Sequence, residues 1–329
     1  MNYSIVVPNY NGRHFLETCF SSLLPQVDRH GSVVLVDNGS TDGSEEMIKR
    51  KWPEVTSIYL GKNTGFTGAN NAGAGASDSD VIILLNNDTR VGPGWISSIM
   101  EPFQDETVGA VTSSMRRMDR IAEMDSAGGQ LDTLGYPSDR GRGELFDNWS
   151  SVSEILFPCG GAMAVRRKAL DDPGSIFWEK LFIYSEDQDL GIRLWKKRYR
   201  VLYQPSAVVE HVFSGTTGRG SPMKSYLCSR NRLLVMKRHI GKEFDRVSAT
   251  FAIWEALSLS YLLSRGKIPQ FNAALKGARE GFRTAVECYG SGKEGCRLLS
   301  RFMKPTQGTA MRRKLGMSVG AKLSAVSDR

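Results

Sequence analysis

With 329 residues, 40% of them hydrophobic, the chain is long enough to bury one large core and a smaller appendage without disulfide or metal staples, and its composition excludes a disordered chain. Five widely spaced cysteines (Cys19, Cys159, Cys228, Cys288, Cys296) with no C-x-x-C pair exclude a disulfide framework and a cysteine zinc site, and Met1 leads into Ile5-Val6-Val7 without a basic n-region, which predicts a cytoplasmic protein. The formal net charge of +8 is unevenly divided: residues 216–329 hold 22 Lys+Arg against 7 Asp+Glu, so they suit an anionic lipid surface, a diphosphate-linked acceptor or nucleic acid, unless they only form a solvated helical face.

In chain order, Ser4–Val7 and Val33–Val36 are short β-branched runs between turn residues, and Val81–Leu85 is a continuous apolar run of the kind a strand buried on both faces shows. Between them, His14–Leu24 and Ser44–Lys51 predict helices. The alternation predicts an α/β fold with a Rossmann-like, mixed, mostly parallel sheet flanked by helices, and ligands at the carboxyl ends of its strands. Over Ser113–Ser153 the pattern weakens, and Gly141-Arg142-Gly143 suggests a substrate loop region. Ile155–Val165 reads as a turn into a buried strand, Ile192–Lys197 as a helix, and Val201-Leu202-Tyr203 and Ala207-Val208-Val209 as two late strands.

A domain boundary is expected at 215/216, followed by a basic, mainly helical region over 216–329. Met223–His239 predicts one of its helices. Thr250–Leu263 is the most apolar stretch but holds Glu255 and falls short of the roughly 20 residues that span a bilayer, so it is a packing helix, a helix in the membrane interface or a dimer helix. The last thirty residues, with Arg312-Arg313-Lys314, are expected to be poorly ordered.

Three polar clusters follow the first strands: Pro8-Asn9-Tyr10-Asn11, Asp37-Asn38-Gly39-Ser40-Thr41-Asp42 and Asn86-Asn87-Asp88. Each alone is ordinary turn chemistry, but three at equivalent strand ends favour a site. A nucleotide sugar at such an edge would need three kinds of residue. Asp37 and Asp42, with Asn9 and Asn11, can accept from base N–H groups or ribose hydroxyls. Asp88 can hold a divalent cation against a diphosphate, with His211 as a further ligand. Glu186, Asp187 and Asp189 cluster before a helix, where close acids can raise one another's pKa toward a general base's range or merely complement the helix dipole. The Gly61–Gly68 stretch lacks both the P-loop ending and dinucleotide-fingerprint spacing, and no nucleophile elbow or H-E-x-x-H helix is present.

The ordered set Ile5-Val6-Val7-Pro8-Asn9-Tyr10-Asn11, Val36-Asp37-Asn38-Gly39-Ser40-Thr41-Asp42-Gly43-Ser44, Asn63-Thr64-Gly65-Phe66 with Ala69-Asn70-Asn71-Ala72-Gly73, Leu85-Asn86-Asn87-Asp88-Thr89 and Glu186-Asp187-Gln188-Asp189-Leu190 with Arg193 strongly resembles glycosyltransferase family 2, and within it the bacterial rhamnosyltransferase-like branch. The resemblance covers about residues 3–214. It implies a GT-A fold, inverting transfer, Mg²⁺ or Mn²⁺, and a nucleotide-diphosphate sugar donor with dTDP-rhamnose favoured. UDP-linked galactofuranose or N-acetylglucosamine is the alternative, and the acceptor is a saccharide or lipid-linked saccharide. Carried over by position, Pro8, Asn9, Asn11 and Asp37 would line the nucleoside pocket, and Asn63, Gly65, Asn70 and Asn87 would lie along the donor. Asp88 would hold the metal, Asn86 standing in place of the motif's first acid. Asp187, beside Glu186, matches the base, with Asp189 and Arg193 on the same helix, and His211 matches a metal or phosphate contact. The reading further implies a protein at the inner membrane face, a homodimer as one use of the apolar helix, and no nucleic-acid partner. A nucleotidyltransferase would need a Gly-rich basic loop after the first strand, where Pro8-Asn9-Tyr10-Asn11 stands. A non-catalytic carbohydrate- or nucleic-acid-binding module would not need both Asp88 and Asp187.

Overall fold

Aliphatic residues at every position of a strand, rather than at alternate ones, require helices on both faces of the sheet. The computed structural model describes residues 1–212, 220–306 and 310–327, and has that arrangement. In chain order the elements are β1 (Tyr3–Asn9), α1 (Arg13–Leu23), β2 (Gly31–Asp37), α2 (Ser44–Lys51), β3 (Thr56–Tyr59), α3 (Gly65–Gly75), β4 (Val81–Leu85), β5 (Thr89–Val91), α4 (Trp95–Met100), β6 (Val108–Arg117), β7 (Arg120–Ser126), β8 (Gly129–Leu131), β9 (Pro137–Asp139), β10 (Ser153–Glu154), β11 (Ala162–Arg166), α5 (Glu186–Lys196) and β12 (Arg200–His211). The helices α6 (Pro222–Ile240), α7 (Phe244–Ser264), α8 (Ile268–Arg283), α9 (Gly292–Phe302) and α10 (Ala310–Ser327) follow. Two compact units result, Met1–Gly129 with Asp139–Thr216, and Gln130–Ser138 with Thr217–Arg329. The expected boundary at 215/216 lies outside the described residues.

The main sheet runs β10-β12-β6-β11-β4-β1-β2-β3, with β5 on β12 and β7 on β6. β1 pairs in parallel with β2 and β4, whereas β11 is antiparallel to both β4 and β6. The carboxyl ends of β1, β2, β4, β6 and β12 therefore share one edge with the start of β11. Alternate residues separate the two cores. Ile5, Val7, Leu35 and Ile83 meet Leu16 and Phe20 of α1 and Trp95 of α4, while Val6, Val34, Val36 and Ile82 meet Ala69 of α3 and Leu190 of α5. Each such aliphatic side chain gains about 2 kcal/mol on burial. Gly73 lets α3 approach closely, since a Cβ there would lie 2.3 Å from Val6 Cγ1.

The structure corrects three expectations. Ser113–Ser153 is not loop throughout: it contains the end of β6, all of β7 to β9, and the start of β10, although Gly141-Arg142-Gly143 does lie in a turn. β6 escapes notice because its buried residues include Thr112, Ser113 and Ser114, each satisfied internally by Cys159 N–H (3.0 Å), Trp95 Nε1–H (2.9 Å) and the Tyr203 hydroxyl (2.8 Å) respectively. The two late strands are one, β12, whose ladder to β6 slips between Gln204 and Val208 around Pro205, a residue with no N–H to donate. The tail forms α10, because Val319, Leu323 and Val326 recur at helical spacing and are buried.

Candidate active site

The strand-end polar residues are tied together by their own hydrogen bonds. Asn9, at the end of β1, donates to Asp37 Oδ2 (3.1 Å) and Ser40 Oγ (3.2 Å), and its Oδ1 accepts from Asn87 Nδ2 (2.7 Å). One side chain thus links the ends of β1, β2 and β4. Asp37 Oδ1 accepts the Gly39 and Ser40 N–H groups, closing the turn after β2. Asn11, at φ 51°, accepts from Thr41 N–H at 2.8 Å, and Pro8 lies half-buried opposite Val36. Asp42 accepts from Arg13 N–H and Ser44 N–H at 2.8 and 3.1 Å, so its carboxylate serves the starts of α1 and α2.

Asn38, part of the strand-end cluster after β2, holds the next loop. Its Oδ1 accepts Thr64 N–H (2.8 Å) and its Nδ2 donates to Asn63 Oδ1 and Gly65 O (both 3.1 Å), while Asn63 Oδ1 also accepts Gly65 N–H (2.8 Å). Gly65 sits at φ 79°, and a Cβ there would fall 2.4 Å from Phe182 O. Gly65→Ala combines left-handed backbone strain with a backbone clash, and is expected to destabilise the protein by about 3 kcal/mol. The urea midpoint measures this, and an unchanged midpoint would refute it. Asn70 donates to Phe66 O (2.8 Å), and its buried Oδ1 has no hydrogen-bond partner among the described residues.

The antiparallel ladder between β5 and β12 sets His211 opposite Thr89 and so beside Asp88. Nε2 lies 3.4 Å from Asp88 Oδ1, and Nδ1 lies 2.7 Å from Asp125 Oδ2. Burial disfavours the imidazolium, but hydrogen bonds to Asp125 and Asp88 outweigh it and raise the pKa to about 10. Asp125 fixes one ring nitrogen of His211 and leaves the other facing Asp88, so Asp88 and a deprotonated His211 would be the residues to hold a divalent cation. The donor set fits in chemistry, but it is sparse. No group of three or more His, Cys, Asp or Glu able to hold a metal occurs among the described residues, so ligand oxygens and water would have to complete the sphere.

Glu186 and Asp187 open α5 after a loop in which Phe182, Tyr184 and Ser185 all have positive φ, at 66°, 71° and 71°. Each such conformation costs about 1 kcal/mol or more and persists only when its surroundings hold it. Here α3 does so, since Phe182 O accepts Thr67 N–H at 3.1 Å. Glu186 is buried, and its Oε2 has no hydrogen-bond partner among the described residues, whereas Asp187 is only half-buried. Burial pushes both carboxyls up, helped by Asp187 beside Glu186 and by Asp139 near Asp187, which reaches about 7. Asp189 and Arg193 are a structural pair. Arg193 Nε donates to Asp189 at 2.9 Å and Nη1 to Asp171 at 3.2 Å, while Nη2 reaches Ile176 O. Asn71 clamps the same segment, its Oδ1 accepting the Ile176 and Phe177 N–H groups at 3.0 and 2.9 Å.

Sequence reasoning missed Asn38, Asn71, Asp125 and Asp139 as individual residues. The first two lay inside quoted motifs; the acids lay in the stretch read as loop, where no periodicity marked them. The assembled edge offers a half-buried carboxyl whose pKa burial raises toward neutrality, and a separate carboxylate–imidazole pair suited to a cation and phosphate.

The family model described as glycosyl transferase family 2 matches residues 4–173. An N-acetylglucosaminyl-diphospho-decaprenol L-rhamnosyltransferase of Mycobacterium tuberculosis is 30% identical over 267 residues, covering 72% of this chain and 85% of that protein. A mannosyltransferase from Pyrobaculum calidifontis, solved with GDP-Man and Mn²⁺, aligns with TM-score 0.54 at 14% identity over 86% of this chain and 87% of that one. S. aureus TarS 1-349 in complex with UDP aligns with TM-score 0.56 at 16% identity over 100% and 90%. At such identities the structures speak for the fold. The family match and the relative together decide the identity: this chain belongs to glycosyl transferase family 2 and is an enzyme that transfers a sugar from a nucleotide-diphosphate donor to an acceptor hydroxyl.

Proposed function

We propose that the chain transfers L-rhamnose from dTDP-rhamnose, with inversion, to a hydroxyl of a lipid-diphosphate-linked saccharide at the inner membrane face, in the synthesis of a cell-surface polysaccharide. The observation that carries this is the separation of two acids by place: Asp88 is engaged with His211, while Asp187 lies half-buried at the start of α5, away from that pair. Inversion needs one base and no carboxylate nucleophile. The similarity to the mycobacterial rhamnosyltransferase supports the sugar and the acceptor class.

Asp187 takes the acceptor proton as the hydroxyl oxygen attacks the anomeric carbon, and the bond from that carbon to the diphosphate oxygen breaks with its electron pair leaving on the nucleotide. Mg²⁺ or Mn²⁺, held by Asp88 and His211, would supply charge neutralisation at the leaving diphosphate. Pro8, Asn9, Asn11, Asp37 and Asp42 shape the nucleoside end, and Asn63, Gly65, Asn70 and Asn87 the donor side. Glu186, buried behind Asp187, supports the base.

Calorimetric titration of dTDP, UDP and GDP, with and without Mn²⁺, tests the donor. The expected result is preference for dTDP, dependence on Mn²⁺, and at least about tenfold weaker binding in Asp88→Ala. Preference for UDP would replace rhamnose with a UDP-linked sugar, and absence of binding by folded protein would overturn the nucleotide-sugar reading of this site.

A further inference from the structure

We infer that the outer face of α7, together with the start of α8, is a docking surface for an anionic lipid bilayer. This deepens the membrane-linked acceptor proposed above without depending on which nucleotide is bound. α7 buries Phe244, Val247 and Phe251 and yet is apolar on its exposed face as well. Its mid-helix acid, Glu255, is buried and paired with the buried Arg232, whose Nη1 also donates to Leu134 O at 2.7 Å. Between Ala252 and Ser264, by contrast, none of the exposed residues is charged. Ile253, Leu257 and Tyr261 recur every fourth residue along that face, with Tyr261 at 59% and Leu263 at 50% exposure. A contiguous apolar face of this kind marks an interaction site.

The rim identifies the occupant. α7 ends in the exposed sequence Arg265-Gly266-Lys267, and exposed Ile268 begins α8. The sequence from 256 to 279 contains no acid but does contain Arg265, Lys267, Lys276 and Arg279. A second copy of the chain would bring the same cations face to face, whereas anionic headgroups complement them. By length and composition alone, the stretch Pro222–Ser264 that comprises α6 and α7 holds a segment able to cross a membrane, little of it buried. Spanning would nevertheless carry Glu255 into hydrocarbon and break its bond to Arg232, so α7 lies in the interface with its apolar face down.

Co-sedimentation of the full chain with vesicles of phosphatidylcholine and phosphatidylglycerol at three to one, and of phosphatidylcholine alone, tests this. The expected result is binding to the anionic vesicles that weakens with salt, and a loss of at least about tenfold in either Leu257→Glu/Tyr261→Glu or Arg265→Glu/Lys267→Glu. Both variants should keep the wild-type melting temperature and nucleotide affinity, because none of the four side chains is buried. Failure of wild type to bind, or binding by both variants as tight as that of wild type, would overturn the inference. So would a dimer in light scattering that Leu257→Glu/Tyr261→Glu converts to monomer without affecting vesicle binding, which would assign the face to a second copy. Loss of nucleotide binding with vesicle binding intact would count against the donor site alone.

Discussion

Asp187→Asn is expected to lower kcat by roughly a thousandfold while leaving nucleotide affinity within a few-fold, because a general base contributes about 10² to 10⁴ to rate and none of the donor's binding. Two further readouts separate this from structural damage. Wild-type kcat/KM should fall as the pH drops below about 7, where the protonated carboxyl cannot accept, and the variant should lack that limb. Stability should move the other way. The folded-state pKa lies above the ordinary 3.8, so the contribution of the neutral carboxyl is fully present below that value and is lost as the pH rises through about 7. Asparagine mimics the neutral acid, and the variant should therefore melt no lower than wild type at pH 8. A variant that kept wild-type kcat, or lost activity together with its fold, would remove Asp187 from the role.

Arg232→Ala is expected to cost about 4 kcal/mol, the largest stability effect in the helical unit, since it strands a buried carboxylate. Glu255 pairs with Arg232, the guanidinium lies 4.3 Å from the Tyr136 ring centroid and 5.2 Å from that of Phe251, and Leu134 O accepts from Nη1. Arg232→Met combined with Glu255→Leu should recover most of the loss, because the desolvation of both charges is removed with them. Urea unfolding of the two variants checks this. A loss under about 1 kcal/mol for Arg232→Ala would mean that water already reaches Glu255.

The sequence made β1, β2 and β4 legible because their apolar runs are unbroken, and the antiparallel partners β5 and β11 are what it could not convey. Strand direction depends on pairing, and no property of Ala162–Arg166 says that it runs against Leu85 to Val81. Site residues fell along the same line. Asn9, Asp37 and Asn87 lie where the strand ends alone would put them. Asp125 reaches His211 only because β7 folds back on β6, a hairpin disguised by the buried polar residues of β6. Tyr184 and Ser185 carried no signal of positive φ, since that conformation is imposed by packing and not by residue type.

Residues 130–138 group with the carboxyl-terminal helices, although the chain on either side of them belongs to the sheet unit. Leu131 and Leu134 are buried there, Thr133 N–H donates to Lys304 O at 3.2 Å, and Asp132 meets Arg312 at 3.0 Å. The two units are consequently not modules in the sense that recombination requires. A gene fusion or truncation joined at a single point after residue 216 would leave an apolar loop without its cover. The helical region can be exchanged among relatives, by evolution or by design, only when this short insert changes along with it.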